Sequence, residues 1–263
     1  GVINNHNLET LSPDSVVTVL RGEFSKIGYV ISKEMLIDHL ILIGEKNKYN
    51  PVKDFFNRSK VAYLANCNTP GDSITQKVFS NCVVLSSAVS REDREFSYIL
   101  FKKWLVSVAR ITFNTGDEAS QGIIVLKGKQ GIGKTRFVQS LLPKKLRGYI
   151  VTGKDISVGD KDTILSIMRN SIIELGEYGR VKGSNVDRVK ALLTQSTDEV
   201  RLPYGKSPEK KPRICSFMAT VNDDNFLKDD TGERRNWVIE VEALNRIDSI
   251  EDETIYTMLW GEA

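Results

Sequence analysis

The clearest chemistry in this 263-residue chain lies in one run of eight, Gly128-Lys129-Gln130-Gly131-Ile132-Gly133-Lys134-Thr135. Glycines at 128, 131 and 133 let backbone N–H groups curl around phosphate oxygens. Lys134 is placed to reach the β- and γ-phosphates, and the Thr135 hydroxyl to ligate Mg²⁺. The flanks fit: Ile123–Leu126 reads as an apolar strand, and Thr135–Leu142 as a helix stopped by Pro143, whose N-terminus adds its dipole to the anion site. Gln130, Ile132 and Arg136 complete the stretch expected to line a nucleoside triphosphate. A chance glycine-rich turn would not bring this context with it.

Such a site needs an acid at the end of a neighbouring strand to orient the metal. Ser171-Ile172-Ile173-Glu174-Leu175-Gly176-Glu177 supplies candidates, with Glu174 beside Mg²⁺ and Glu177 placed to polarise the attacking water. Further on, Ile214–Asn222 is an apolar run ending in Thr220-Val221-Asn222, where a side-chain amide can sense the γ-phosphate. Asp229–Trp237 then contains adjacent Arg234 and Arg235. They are either a surface ion-pair cluster or guanidiniums that neutralise developing phosphate charge at a neighbour's site. Between acid and amide, residues 201–213 hold Arg201, Lys206, Lys210, Lys211 and Arg213 against one acid, with Tyr204 among them. A protruding basic hairpin of this kind suits a nucleic-acid backbone and a stacked base; the plainer reading is a solvated charged loop.

The elements that must position these residues follow from periodicity. Residues 1–115 read as mainly helical. Lys33–Gly44 carries Met35, Leu36, Leu40, Ile41 and Ile43 at helical spacing. Arg91–Phe113 places Phe96, Ile99, Leu100, Trp104, Leu105 and Val108 on one stripe. The polar cluster Asn114-Thr115-Gly116-Asp117 marks the expected boundary with a second domain, 116–263. There, apolar runs at Gly122–Leu126, Ser171–Leu175, Ile214–Val221 and Trp237–Val241 alternate with helical stretches. That pattern predicts a parallel, three-layer α/β domain. Asp198–Arg213 reads as a hairpin or long loop.

Composition narrows the class. With 40% hydrophobic and 27% charged residues the chain is ordinary for a globular protein. No apolar run reaches the roughly 18 residues of a membrane span. Cys67, Cys82 and Cys215 are far apart, and with only His6 and His39 a structural zinc site is not expected. This usage fits a reducing cytoplasm. A net charge of +3 does not itself announce nucleic acid, so any DNA contact must be local. Neither an Asn-Lys-x-Asp guanine reader nor an arginine-dense lid is present, which argues against a GTPase or a P-loop kinase.

Taken in order, these elements resemble the virulence-associated protein E family of phage and pathogenicity-island replication proteins, close to the superfamily-three helicases within the AAA+ ATPases. The matching stretches are Tyr49–Val52, Gly128–Thr135, Glu174–Glu177, Val189–Leu193, Asp198–Gly205, Pro212-Arg213 and Thr220–Trp237. The most specific combination is Arg201-x-Pro-Tyr-Gly, Thr-x-Asn and Thr-Gly-x-Arg-Arg. The resemblance implies a P-loop AAA+ core, with the helical N-terminal part serving oligomerisation. It also implies a homo-oligomeric ring, a hexamer, around single-stranded or forked DNA, with ATP and Mg²⁺ at subunit interfaces and other replication proteins as possible partners. By the same resemblance, Lys134 and Thr135 are the Walker A residues, Glu174 the Walker B acid and Asn222 the sensor. Arg234 or Arg235 is the finger supplied in trans, and 201–213 the DNA-contacting hairpin. The implied activity is ATP-driven DNA translocation or unwinding; the rival is a nucleotide-switched replication regulator that does not unwind. Two departures stand out: Asn236 precedes Trp237 where relatives carry the aromatic residue directly, and residues 57–91 follow the family loosely.

Overall fold

The computed structural model describes residues 2–3, 6–7, 11–66, 73–120, 122–154, 161–176, 178, 191–200, 208–222 and 235–263. The chain divides into two compact units, Gly1–Asn50 and Pro51–Ala263. In the first, two short strands, β1 (Val2–Ile3) and β2 (His6–Asn7), pair antiparallel. They precede α1 (Pro13–Lys26) and α2 (Lys33–Lys46). Each helix starts on a serine whose hydroxyl accepts from the third residue onward, Ser12 from Ser15 N and Ser32 from Met35 N. The stripe expected to be buried on α2 is covered only at Leu36. Met35, Ile41 and Ile43 are about half exposed, at 54%, 46% and 55%, because two helices offer no second layer to cover both faces.

The second unit begins at Pro51. Helices α3 (Pro51–Asn66), α4 (Ile74–Cys82) and α5 (Arg91–Thr112) belong to the same body as the strands. On α5, Leu100, Trp104, Leu105 and Val108 are buried as the stripe required, and Trp104 Nε1 donates to the buried Phe217 carbonyl at 2.8 Å. Phe96 and Ile99, expected on that stripe, are instead exposed. The supposed linker is a hydrogen-bonded junction. Asn114 donates to the Glu118, Ser196 and Arg213 carbonyls and accepts from Gly116 N and Glu118 N.

The expected α/β arrangement is present as a six-stranded, mostly parallel sheet. Its strands are β3 (Val83–Leu85), β4 (Ile123–Lys127), β5 (Ile150–Lys154), β6 (Ile172–Leu175), β9 (Ser216–Val221) and β10 (Asn236–Leu244). The order across the sheet is β3-β10-β4-β9-β6-β5, and β3 alone runs antiparallel. Four strands fall where the apolar runs placed them. The half-buried β5 and the three-residue β3 carry too little pattern to be seen. The acidic strand β6 is not the immediate neighbour of β4, as the sequence had suggested, since β9 lies between them. One face of the sheet packs through Ile124, Leu126, Met218 and Ile239 on α5 and on α6 (Lys134–Gln139), with α8 (Ile255–Glu262) in the same core. The other face, with Ile123, Val125, Ile173 and Phe217, packs on Ile167 of α7 (Lys161–Arg169) and on Leu192 and Leu193. Among the described residues no helix is long and apolar enough to cross a membrane.

The hairpin is present: β7 (Thr197–Val200) and β8 (Glu209–Pro212) pair antiparallel with Thr197 opposite Pro212 and Val200 opposite Glu209. Its base is locked by Arg213, 2% exposed, which makes a two-pronged ion pair with the equally buried Asp198 and also donates to the Leu192 carbonyl. Removing one partner of a buried pair strands the other charge. Asp198→Ala should therefore cost about 3–5 kcal/mol in denaturant unfolding. A loss under about 1 kcal/mol, the scale of a solvated surface pair, would contradict this burial.

Candidate functional site

The loop 128–133 joins the C-terminal end of β4, buried on both faces, to α6. Its glycines meet different demands. Gly131 and Gly133 adopt φ of 86° and 95°, the left-handed region that costs other residues about 1–2 kcal/mol. A Cβ at Gly133 would also lie 2.5 Å from the Leu244 carbonyl oxygen, and one at Gly128 would lie 2.3 Å from the Val241 carbonyl oxygen. The loop is thus pressed against the far end of β10. One backbone bond holds it there, Leu244 N to the Ile132 carbonyl at 2.9 Å, while Gly128 N donates to the Val221 carbonyl at the end of β9 at 3.1 Å. Sequence had given Trp237–Val241 as a strand, but not the extension to Leu244 that makes it a backing for the loop.

Lys134 is nearly buried, and its ammonium donates to three acceptors: the Gly128 carbonyl at 2.5 Å, the Lys129 carbonyl at 2.8 Å and Asn222 Oδ1 at 2.6 Å. Burial lowers its pKa from the ordinary lysine value, while the Glu174 carboxylate works in the opposite direction. Three acceptors use all three N–H donors, so an arriving phosphate oxygen must take over at least one bond. Thr135 and Arg136, in the first turn of α6, are exposed, as are Lys129 and Gln130. α6 ends at Gln139 rather than running to Pro143, because Ser140 Oγ donates to the Phe137 carbonyl and accepts from Ile247 N.

Glu174 is the penultimate residue of β6 and is 1% exposed. Its two oxygens accept from Thr220 Oγ1 and Gly153 N, each at 2.5 Å. The second bond exists because the β5–β6 register shifts between Val151 and Lys154, where Gly153 takes φ 68° and turns its N–H out of the ladder. No sequence signal pointed to Gly153. Thr220 stood in view within Thr-x-Asn but carried no assigned role. Among the described residues no three His, Cys, Asp or Glu side chains cluster as a metal cage. One buried carboxylate plus an exposed threonine hydroxyl suits a hard divalent cation held largely by phosphate and water, which is the habit of Mg²⁺. Burial pushes the Cys82 thiol up to about 11 and that of Cys215 to about 12. Neither is a thiolate near neutral pH, so neither offers a nucleophile.

The other expected residues do not converge here. Arg235 immediately precedes β10, whose Asn236 pairs with Ile123 at the start of β4. It therefore lies at the opposite edge of the sheet, about five residues or roughly 16 Å of strand from the loop. Lys210 is exposed on β8, whereas Lys211 is half-buried and pairs with Glu209 at 3.0 Å. Arg213, expected to touch DNA, is committed to Asp198 and is unavailable for a phosphate backbone. Glu177, Arg201, Tyr204, Lys206 and Arg234 lie outside the described residues. An open pocket of about 380 Å³ adjoins the loop, with Lys127, Lys129, Asn222 and Glu240 among its lining residues.

The glycine geometry is directly testable. Gly128→Ala should displace the loop from β10 and weaken triphosphate binding at least tenfold in a calorimetric titration. Gly131→Ala, with open space around it, should lose about 1–2 kcal/mol of folding stability to backbone strain and keep triphosphate affinity within a few-fold of the parent. Equal effects of the two substitutions would contradict the backing role of β10.

No curated protein sequence matches the chain. Among solved structures, it is similar to the apo structure of the NrS-1 C-terminal region, residues 305–718, at 20% identity and a TM-score of 0.44. It is also similar to an A-form apo structure of that region, at 19% and 0.40. Each match covers 72% of this chain and 43% of the other, so the chain spans less than half of the regions it resembles. The virulence-associated protein E-like domain matches residues 64–263, from the end of α3 through both edges of the sheet. The chain belongs to the virulence-associated protein E-like family.

Proposed function

We propose that this chain is a Mg²⁺-dependent ATPase with a P-loop AAA+ core that acts on DNA in the replication of a phage or other mobile element, working as a ring. The observation that carries the reading is the convergence of Lys134, Asn222 and the buried Glu174 at the C-terminal edge of a parallel sheet. Lysine and loop amides would hold the phosphates. Thr135 and Glu174 would hold Mg²⁺, which when bound supplies charge neutralisation across the β- and γ-phosphates. Asn222 would exchange its bond to Lys134 for one to the γ-phosphate or to the attacking water.

Two features favour a shared site and a link to DNA. Arg235 lies about five residues of strand from the loop of its own subunit, so its guanidinium would serve a neighbour's phosphates. The strand β9 begins three residues after Arg213, which locks the hairpin, and ends one residue before Asn222, which contacts Lys134. A change in nucleotide state at one end would thus move the hairpin at the other. Of the expected DNA contacts, Lys210 remains exposed for that role, and Arg201, Tyr204 and Lys206 lie outside the described residues. Arg213 is better placed as the hairpin's anchor.

The test is strand separation on a forked duplex. The chain should unwind the fork only with ATP and Mg²⁺, and Lys134→Ala should lower turnover by about 10²-fold or more, the scale of one preorganised electrostatic contact. Turnover without strand separation would favour the nucleotide-switched regulator instead. DNA-dependent turnover that survives Lys134→Ala would end the proposal.

A further inference from the structure

Glu174 has a neighbour whose chemistry has no structural necessity. Thr220 lies on β9, one strand over from β6, and the ladder pairs Glu174 with Met218. Thr220 is therefore the diagonal neighbour on the same face, and its hydroxyl donates to Glu174 Oε1 at 2.5 Å. A valine would fill the same volume and suit a strand equally well. The hydroxyl brings one thing only, a hydrogen bond to a carboxylate that is 1% exposed. Gly153 N–H fills one direction of the other oxygen, Oε2, at 2.5 Å. With one donor fixed on each oxygen, the carboxylate plane is locked between β5 and β9, and neither oxygen is free to swing.

We propose that Thr220 is a positioning residue for the metal site: it orients Glu174 so that one remaining lone pair on each carboxylate oxygen faces the cation or its water. This rests on the reading of the loop as a Mg²⁺-nucleotide site. A carboxylate offers about four lone-pair sites, and the two donors occupy two of them. The two that remain, one on each oxygen, can meet the cation or its water without either bond being broken. Two residues further along the chain, just past the end of β9, Asn222 Oδ1 accepts from Lys134. The Thr-x-Asn run at this end of β9 therefore holds the acid with its first side chain and the loop lysine with its last. Their i, i+2 spacing puts both on one side of the chain, so the acid and the lysine are set relative to each other by the end of a single strand.

The experiment compares Thr220→Val, Thr220→Ala and Thr220→Ser with the parent chain. ATP affinity is measured by calorimetry with Mg²⁺ and with EDTA, alongside turnover and the melting temperature. Thr220→Val should bind ATP in EDTA as the parent does, yet lose about tenfold in the Mg²⁺ concentration needed for half-maximal binding. Its kcat should fall by a similar factor or more, with KM little changed. Thr220→Ser, which keeps the hydroxyl, should recover most of both, and Thr220→Ala should follow Thr220→Val. Parent-like Mg²⁺ dependence in folded Thr220→Val or Thr220→Ala would overturn the proposal. So would a Thr220→Ser chain as impaired as Thr220→Val, because the methyl group rather than the hydroxyl would then matter. A parent chain whose ATP binding is indifferent to both Mg²⁺ and Lys134→Ala would overturn the underlying reading of the site, and the positioning role with it.

Discussion

The phosphate loop is packed so tightly against β10 that no side chain fits between them. A Cβ at either Gly128 or Gly133 would sit within 2.5 Å of a β10 carbonyl oxygen, and that contact is backbone on backbone, so neither side can yield cheaply. The loop shape is therefore determined by β10 as much as by its own glycines. Past Leu244 the same segment keeps tying the site together. Asn245 N donates to the Cys82 carbonyl at the end of α4, and Ile247 N to Ser140 Oγ at the end of α6. The other end of β10 carries Arg235 to the opposite edge of the sheet. One strand of nine residues thus backs the glycine loop at one end and is preceded by Arg235 at the other.

β9 has the same two-ended character. Its start is fixed by the buried Arg213–Asp198 pair. Such a pair is a poor source of net stability, because desolvation cancels much of the attraction, but it specifies one geometry. With Asn114 bonded to the Arg213 carbonyl, the hairpin base, the start of β9 and the end of α5 are a single junction. Its other end holds Glu174 and Lys134 through Thr220 and Asn222. In the proposed function, ATP and DNA communicate along β10 and β9, the strands on either side of β4, rather than through loops.

Much of this was legible in the residues alone. The loop, the strands β4, β6, β9 and β10 and the hairpin all announce themselves as apolar runs bounded by turn residues. What escaped had physical causes. β5 is a half-buried edge strand carrying Gly153, and its bulge matters through a backbone N–H that no side-chain pattern can reveal. Arg213 sits among lysines and looked solvated; its partner lies 15 residues away and meets it only after the hairpin register forms. Asn114–Asp117 looked like a linker because a polar turn reads alike whether its bonds go to water or to a neighbouring strand. The exposed Phe96 and Ile99 on α5 and Met35, Ile41 and Ile43 on α2 share helical spacing with buried residues. Periodicity shows that an apolar stripe exists, not which part of it is covered.

The central claim is that the site is completed by a neighbouring subunit, since Arg235 lies about five residues of strand from its own subunit's loop. The most direct measurement mixes two inactive chains, one carrying Lys134→Ala and the other lacking both arginines through Arg234→Ala and Arg235→Ala, and follows ATP turnover against mixing ratio. Turnover should reappear in the mixture, because an intact loop on one subunit meets intact arginines on the next. A mixture as inactive as its components at every ratio would contradict a shared site.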